Sequence, residues 1–354
     1  MALALSDLNC YILPGRGMDV RLGLGQAKQA DEWGYRGVFM GERWDTKELG
    51  SVFGALTQVT RRINLVAGLT HFGTRHPLVQ AGMANTLQAL SGGRYILGYG
   101  RSVPSEFAKQ GIPVPNIDGM AQFTTILRRL WAGEVVSYSG PLGEFPSMCL
   151  GVVCKNPPPL LLGAIGPKTL TLAGTHFDGV VLHPFLTLEA VSRSVAIVRH
   201  AARKAGRDPS SVTVYATVVL ALDTITAQER ADILEARAVS YFMHREVGLA
   251  LARANGWDER PIHQLSDAGI SDLEFRQHSA NGRGLMAAHV KTLPTQWLND
   301  GAAVGSVSHC IARLGHYLEA GANQILIHGA TPEHQGLLVS ELARLSGRTA
   351  SRGV

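Results

Sequence analysis

Eight short apolar runs, each bounded by turn residues and followed by helical spacing, restrict this chain more than any other feature of it. The runs are Leu8 to Leu13, Gly37 to Met40, Ile63 to Gly68, Tyr95 to Tyr99, Leu160 to Leu162, Gly179 to Leu182, Val212 to Leu220 and Gln324 to Ile327. Short runs with little polar alternation fit strands buried on both faces, which belong to parallel sheets covered by helices. Helical spacing occupies Asp19 to Trp33, Gly50 to Thr60, Pro77 to Leu90, Asp118 to Trp131, Pro167 to Ala173, Leu188 to Ala205, Ala227 to Asn255 and Ser306 to Ala320. Pro332 to Leu345 closes the chain. Eight such units favour a closed barrel over an open doubly wound sheet. The expected fold is therefore an α/β (β/α)8 TIM barrel forming a single domain over residues 1–354. Two insertions are expected, at about 133–156 before the fifth strand and at 256–303 before the eighth. The first, Glu134 to Cys154, reads as a hairpin or two short strands, VVSYSG and MCLGVVC.

Composition narrows the partners. The formal charge of +5 is spread over single basic residues and not gathered in runs, which suits an acidic small molecule and argues against nucleic acid. The four cysteines form no CxxC pair, so neither a disulfide framework nor a metal site is expected. The start MALALSDLN lacks the basic and apolar regions of a signal peptide, and no 18-residue apolar run occurs. A cytoplasmic protein without a membrane partner is expected.

In a barrel of this kind the chemistry sits where strands end. The most informative junction is Asn156 to Gly174, NPPPLLLGAIGPKTLTLAG. Gly163 and Gly166 free the backbone to turn, Pro167 suits the first helical position, and Lys168 and Thr169 follow in the first turn. Unpaired N–H groups and the dipole of that helix end favour a phosphate or carboxylate. An ordinary βα turn uses the same residues, so the segment alone leaves both readings open. Other strand ends bring Glu42, Arg43 and Trp44; His71, Phe72, Arg75 and His76; Gly100, Arg101 and Ser102; His183; and His328. His71, His183 and His328 are the candidates for proton transfer, although a lone histidine is more often structural than catalytic.

Four stretches carry a resemblance to a known family: GYRGVFMGERW, GLTHFGTRHPLVQA, LSGGRYILGYGRS followed by SEF, and PPLLLGAIGPKTLTLAGTHFDGVV. In this order they resemble the luciferase-like flavin and deazaflavin oxidoreductases, and the closing AGANQILIH resembles that family's last strand. The resemblance implies a redox enzyme. It implies a bulge with a non-prolyl cis peptide at Gly68-Leu69, continued by Thr70, behind the cofactor ring; an ordinary strand end is the alternative. It places Gly100, Arg101 and Ser102 beside the cofactor phosphate, although that loop is one residue shorter than the family's GRG pattern. It places Ala164, Ile165, Gly166, Pro167, Lys168 and Thr169 at the same phosphate, and Glu42 where some relatives contact a deazaflavin. Arg43 stands where glucose-6-phosphate dehydrogenases of the family carry a catalytic histidine, which disfavours that activity.

The cofactor expected from the resemblance is coenzyme F420, with FMN as the alternative. The expected reaction moves a hydride between the deazaflavin and a small organic substrate, with Glu42, His71 and His183 as catalytic candidates. An FMN-dependent monooxygenase and a non-catalytic flavin- or phosphate-binding barrel are the competing readings. A homodimer or higher homo-oligomer is expected, and the Ala, Arg and Gly usage points to an actinobacterial source.

Overall fold

A computed structural model describes residues 3–15, 19–44, 46–268 and 286–347. Its barrel strands are β1 (Leu8–Tyr11), β2 (Gly37–Met40), β3 (Asn64–His71), β4 (Tyr95–Gly100), β5 (Leu160–Ala164), β6 (Gly179–Leu182), β7 (Thr213–Leu222) and β8 (Gln324–His328). Each pairs in parallel with its successor, and β8 returns to β1, so the ring is a closed (β/α)8 barrel.

Both faces of each strand are buried, for different reasons. Phe39, Val66, Leu161, Val181, Tyr215 and Leu326 point inward and fill the barrel, with Tyr11, Leu69 and Ile96 packed against them. The alternate positions Val38, Leu65, Leu97, Leu160, Val180, Val214 and Ile325 join the larger core beneath the helices. This period-two division explains why the runs read as uniformly apolar.

All eight expected strands are present, and the departures have local causes. β3 continues past Gly68 to His71 because a register shift between Ala67 and Thr70 lets it keep pairing with β4. β7 runs on to Leu222 because Val219–Leu222 pair with an additional strand, Ala302–Gly305, which the sequence reading did not contain. Its AAVG sequence is too short and too small to signal a strand. The hairpin is formed by Val136–Gly140 and Gly143–Met148. Its second strand precedes the expected MCLGVVC, because the Gly140–Gly143 pair closes tightly around Pro141 and Leu142.

The expected helix Ala227 to Asn255 is broken. It comprises Ala227–Arg230, a π-helical turn Ala231–Glu235, then Ala236–Phe242 and Arg245–Asn255. A short helix Pro104–Lys109 was not expected at all. Of the expected 256–303 insertion, residues 269–285 lie outside the described residues; Arg260–Asp267 and Thr295–Gly301 are helical. No helix among the described residues is long and apolar enough to cross a membrane.

Candidate functional site

The residues singled out from β3, β4 and β5 fall on one sector of the barrel's C-terminal rim, because these three strands are consecutive neighbours. The peptide Gly68-Leu69 is cis, as the sequence implied. The Leu69 carbonyl accepts from Glu42 N at 3.0 Å, tying the ends of β2 and β3 together. The Leu69 side chain lies over a floor of glycines: a Cβ at Gly163 would sit 2.4 Å from Leu69 Cδ1, and one at Gly98 would sit 2.8 Å from Cδ2. At Gly100 the separation would be 3.2 Å. Larger residues at these positions would push Leu69 out of its place.

Beside this floor the rim is cationic. Arg101 follows β4 and is exposed, with no hydrogen-bond or ion-pair partner among the described residues, and Ser102 holds a left-handed φ of 62°. Ala164 ends β5 and is buried, and half-buried Ile165 leads into Gly166, the N-cap of the helix Pro167–His176. The first i→i−4 bond of that helix joins Leu170 N to Gly166 O at 3.0 Å. The Lys168 and Thr169 N–H groups therefore precede the ladder and are open to an acceptor. The Thr169 hydroxyl donates to Gly166 O at 2.9 Å, and Lys168 is exposed. The backbone donors and the Lys168 ammonium, and not the threonine hydroxyl, are what the turn leaves unengaged.

Glu42 has a different place from the one its position in sequence suggested. Its side chain is 1% exposed and pairs with Arg75, which is 15% exposed. Arg75 Nη2 bonds Oε1, Nη1 bonds Oε2 at 2.8 Å, the Thr70 hydroxyl donates to Oε2 at 2.5 Å and Leu49 N to Oε1 at 3.4 Å. Both carboxylate oxygens thus already accept two donors. Burial by itself would raise the carboxyl's pKa; the Arg75 and Thr70 bonds outweigh it and hold the group below the usual carboxylate value. Arg75 also bonds Glu48 at 2.5 Å, and Glu48 caps the helix Leu49–Val59 through Gly50 N and Ser51 N. Glu42 is an ionised strut beneath the rim, engaged by Arg75 and Thr70. His76, which follows Arg75, caps the helix Pro77–Leu90.

The three histidines line the mouth and are neutral. His71 sits among Trp44 and Phe107, with ring centroids at 5.8 and 4.8 Å, and burial pushes it down to about 4. His183 packs edge-on against Tyr241 at 4.5 Å, with Nδ1 3.0 Å from Pro184 O, and burial likewise lowers it to about 4. His328 is 5% exposed and held well below the ordinary range by burial. Its Nε2 faces Tyr241 Oη at 2.8 Å and Arg237 Nη1 at 3.0 Å. Guanidinium can only donate, so Nε2 is the acceptor and the hydrogen resides on Nδ1.

The sequence reading missed Tyr11, Arg237 and Tyr241. Tyr11 stacks edge-on against His328 at 4.5 Å and accepts from Gly41 N at 2.6 Å. A tyrosine ending the first strand was the available signal for it. Arg237 and Tyr241 lay within a long helical pattern that gave no hint of the π turn. Backbone strain marks the same rim: among the described residues, the non-glycine residues with positive φ are Leu13, Ser102 and Phe185, which follow β1, β4 and β6.

Neutral buried histidines make the fold acid-sensitive. For His71 and His183 the folded value lies near 4 and the ordinary one at 6.5, so the unfolded chain takes up protons first. Their stability contribution is complete above pH 6.5 and is lost as pH falls through 6.5 toward 4. At pH 5 the loss is about 1–2 kcal/mol for each. Thermal melts at pH 7 and pH 5 should show it, with His183→Asn losing less between the two. Coincident melts across that window would contradict it.

The family model described as luciferase-like monooxygenase matches residues 5–324. A 5,10-methylenetetrahydromethanopterin reductase of Methanolobus tindarius is 28% identical over 307 residues, covering 85% of this chain and 87% of that protein. A provisionally named coenzyme F420-dependent oxidoreductase of Mycobacterium tuberculosis is 25% identical over 338 residues, covering 89% and 92%. The solved coenzyme F420-dependent tetrahydromethanopterin reductase of Methanopyrus kandleri superposes with a TM-score of 0.77 at 18% identity, covering 97% of this chain and 99% of that one.

Proposed function

The chain belongs to the luciferase-like monooxygenase family, and from that premise we propose that it is an F420-dependent oxidoreductase acting on a small organic substrate. The observation that carries the proposal is the shared rim sector of β3, β4 and β5, where the glycine-floored Leu69, the exposed Arg101 and the opening turn at Gly166 are neighbours.

These residues fit a phosphorylated, planar redox group. The guanidinium of Arg101 and the ammonium of Lys168 would take its phosphate together with the N–H groups of Lys168 and Thr169. The Leu69 bulge would brace the ring, with Gly100 and Gly163 keeping the approach open. When bound, the deazaflavin supplies the carbon that gives or accepts the hydride. The Glu42–Arg75–Thr70 network fixes the bulge from behind, and Trp44 and Phe107 shield the mouth around His71. His71 and His183 are uncharged at neutral pH, so each can hold a polar substrate atom without introducing a buried charge. The two full-length relatives support the F420 reading over FMN, since one is a reductase and the other is named for F420.

Titration of the apo-protein with F420 and with FMN, followed by fluorescence, tests this directly. F420 should bind at least about tenfold more tightly, a difference of about 1.4 kcal/mol. Tighter FMN binding, together with oxygen consumption by the reduced-flavin complex, would replace the proposal with a monooxygenase.

A further inference from the structure

The mouth is built from two unlike sectors. Around the ring β4 and β8 are four strands apart in either direction, so Arg101 and His328 stand across the opening from each other. The β3–β5 side is floored with glycines, whereas the β6–β8 side presents His183, His328, Tyr241 and Arg237. Arg237 is the unusual member. It is half-buried, forms no ion pair among the described residues, and its Nε is buried without a hydrogen-bond partner. Among the described residues Nη1 is its one bonded nitrogen, and that bond goes to a neutral imidazole, which offers no compensating charge.

The surroundings deepen the imbalance. Arg237, Lys47, His183, Tyr241 and Tyr11 face His328, and none of them is a carboxylate. Glu42, after β2, is engaged with Arg75, and Asp223, after β7, is exposed. Two more buried polar atoms lack partners here: His328 Nδ1, which carries a hydrogen, and Thr217 Oγ1 on the inner face of β7 above Tyr215. A half-buried cation without a counter-ion is costly, and unpaired buried donors add to the cost. The π turn Ala231–Glu235 immediately precedes Arg237, and such turns re-aim the residues that follow them. Gly329 allows the close approach: a Cβ there would lie 3.2 Å from Arg237 Nε.

We propose that Arg237, steadied by His328 and flanked by the Tyr241 hydroxyl, is the anchor for a carboxylate on the substrate. Nη2, which forms no hydrogen bond among the described residues, is the guanidinium nitrogen left to donate to a carboxylate oxygen, with charge assistance. The substrate class is then a small organic acid, held by its carboxylate on the β6–β8 side with its reacting carbon toward Leu69. This rests on the reading that the cofactor occupies the β3–β5 side. His328 is a positioning residue: the Nε2 lone pair accepts from Arg237 and sets its direction, which leaves the hydrogen of the nearby Tyr241 hydroxyl for the substrate carboxylate.

The probes are benzoate, its neutral counterpart methyl benzoate, and inorganic phosphate. They are titrated against F420-saturated protein by the absorbance of bound F420 and against apo-protein by thermal shift. Benzoate should bind the wild type at least tenfold more tightly than methyl benzoate or phosphate. Arg237→Gln should lose that preference, Tyr241→Phe should weaken benzoate two- to fivefold, and Arg237→Lys should retain part of it while confirming that the site folds. The F420 affinity of Arg237→Gln should stay within twofold of wild type. Equal binding of benzoate by wild type and Arg237→Gln would overturn the proposal, as would preferential phosphate binding. A parallel loss of F420 affinity in Arg237→Gln would overturn it too, by assigning the arginine to the cofactor. If the cofactor reading fails instead, wild type does not bind F420 while apo-protein still shows the Arg237-dependent benzoate shift.

Discussion

Replacing Arg75 with methionine is expected to cost about 3–5 kcal/mol of folding stability, because it strands the Glu42 carboxylate in a site that is 1% exposed. The methylene stem is largely preserved by methionine, so lost packing contributes little. What remains is a buried charge with only Thr70 and Leu49 N as donors. Glu42→Gln with Arg75→Met should recover a good part of the loss, since an amide carries no charge to strand. Denaturant midpoints of the two single variants and the double variant check this. A single-variant loss below about 1 kcal/mol would mean the pair is screened by solvent like a surface bridge. The consequence reaches the rim, because Thr70 adjoins Leu69 and the Leu69 carbonyl accepts from Glu42 N. The Arg75 variant should therefore also bind cofactor less tightly.

On the proposed cofactor site, Arg101→Ala should weaken F420 binding by about 10- to 150-fold, the equivalent of about 1.5–3 kcal/mol for charge-assisted hydrogen bonds. Arg101 is exposed and has no partner among the described residues, so its removal should leave the fold intact. Lys168→Ala should act in the same direction and more weakly, because an ammonium contacts a phosphate as a point charge without the fork. Equilibrium titration measures both. Unchanged affinity in Arg101→Ala would remove the phosphate assignment from the β4 loop and leave the helix opening at Pro167 to explain anion binding alone.

The barrel was legible in the sequence because its strands are buried on both faces, which turns each into a compact apolar run with a turn on either side. The site was half legible. Arg101, Gly166 and Lys168 follow strands directly, so their place on the rim comes from chain order. The cis peptide at Gly68-Leu69 was legible only through family resemblance, since GLTH resembles any strand end. Glu42 shows the limit of that approach: adjacency to a strand end fixes where the Cα lies, but Arg75, thirty-three residues later, decides where the carboxylate turns. Arg237 and Tyr241 were illegible for a related reason. A π turn shifts the helical phase without a glycine or proline to announce it, and the helix Ala227 to Asn255 reads as continuous.

The two sectors of the mouth come from separate lengths of chain. Leu69 through Thr169 builds most of one, with Trp44 from earlier in the chain, and His183 through His328 builds most of the other, with Tyr11 and Lys47. Such an arrangement behaves as a socket and an interchangeable head. On the proposed sites, substitutions in the later half would change which molecules are accepted and would leave the grip of the earlier half in place.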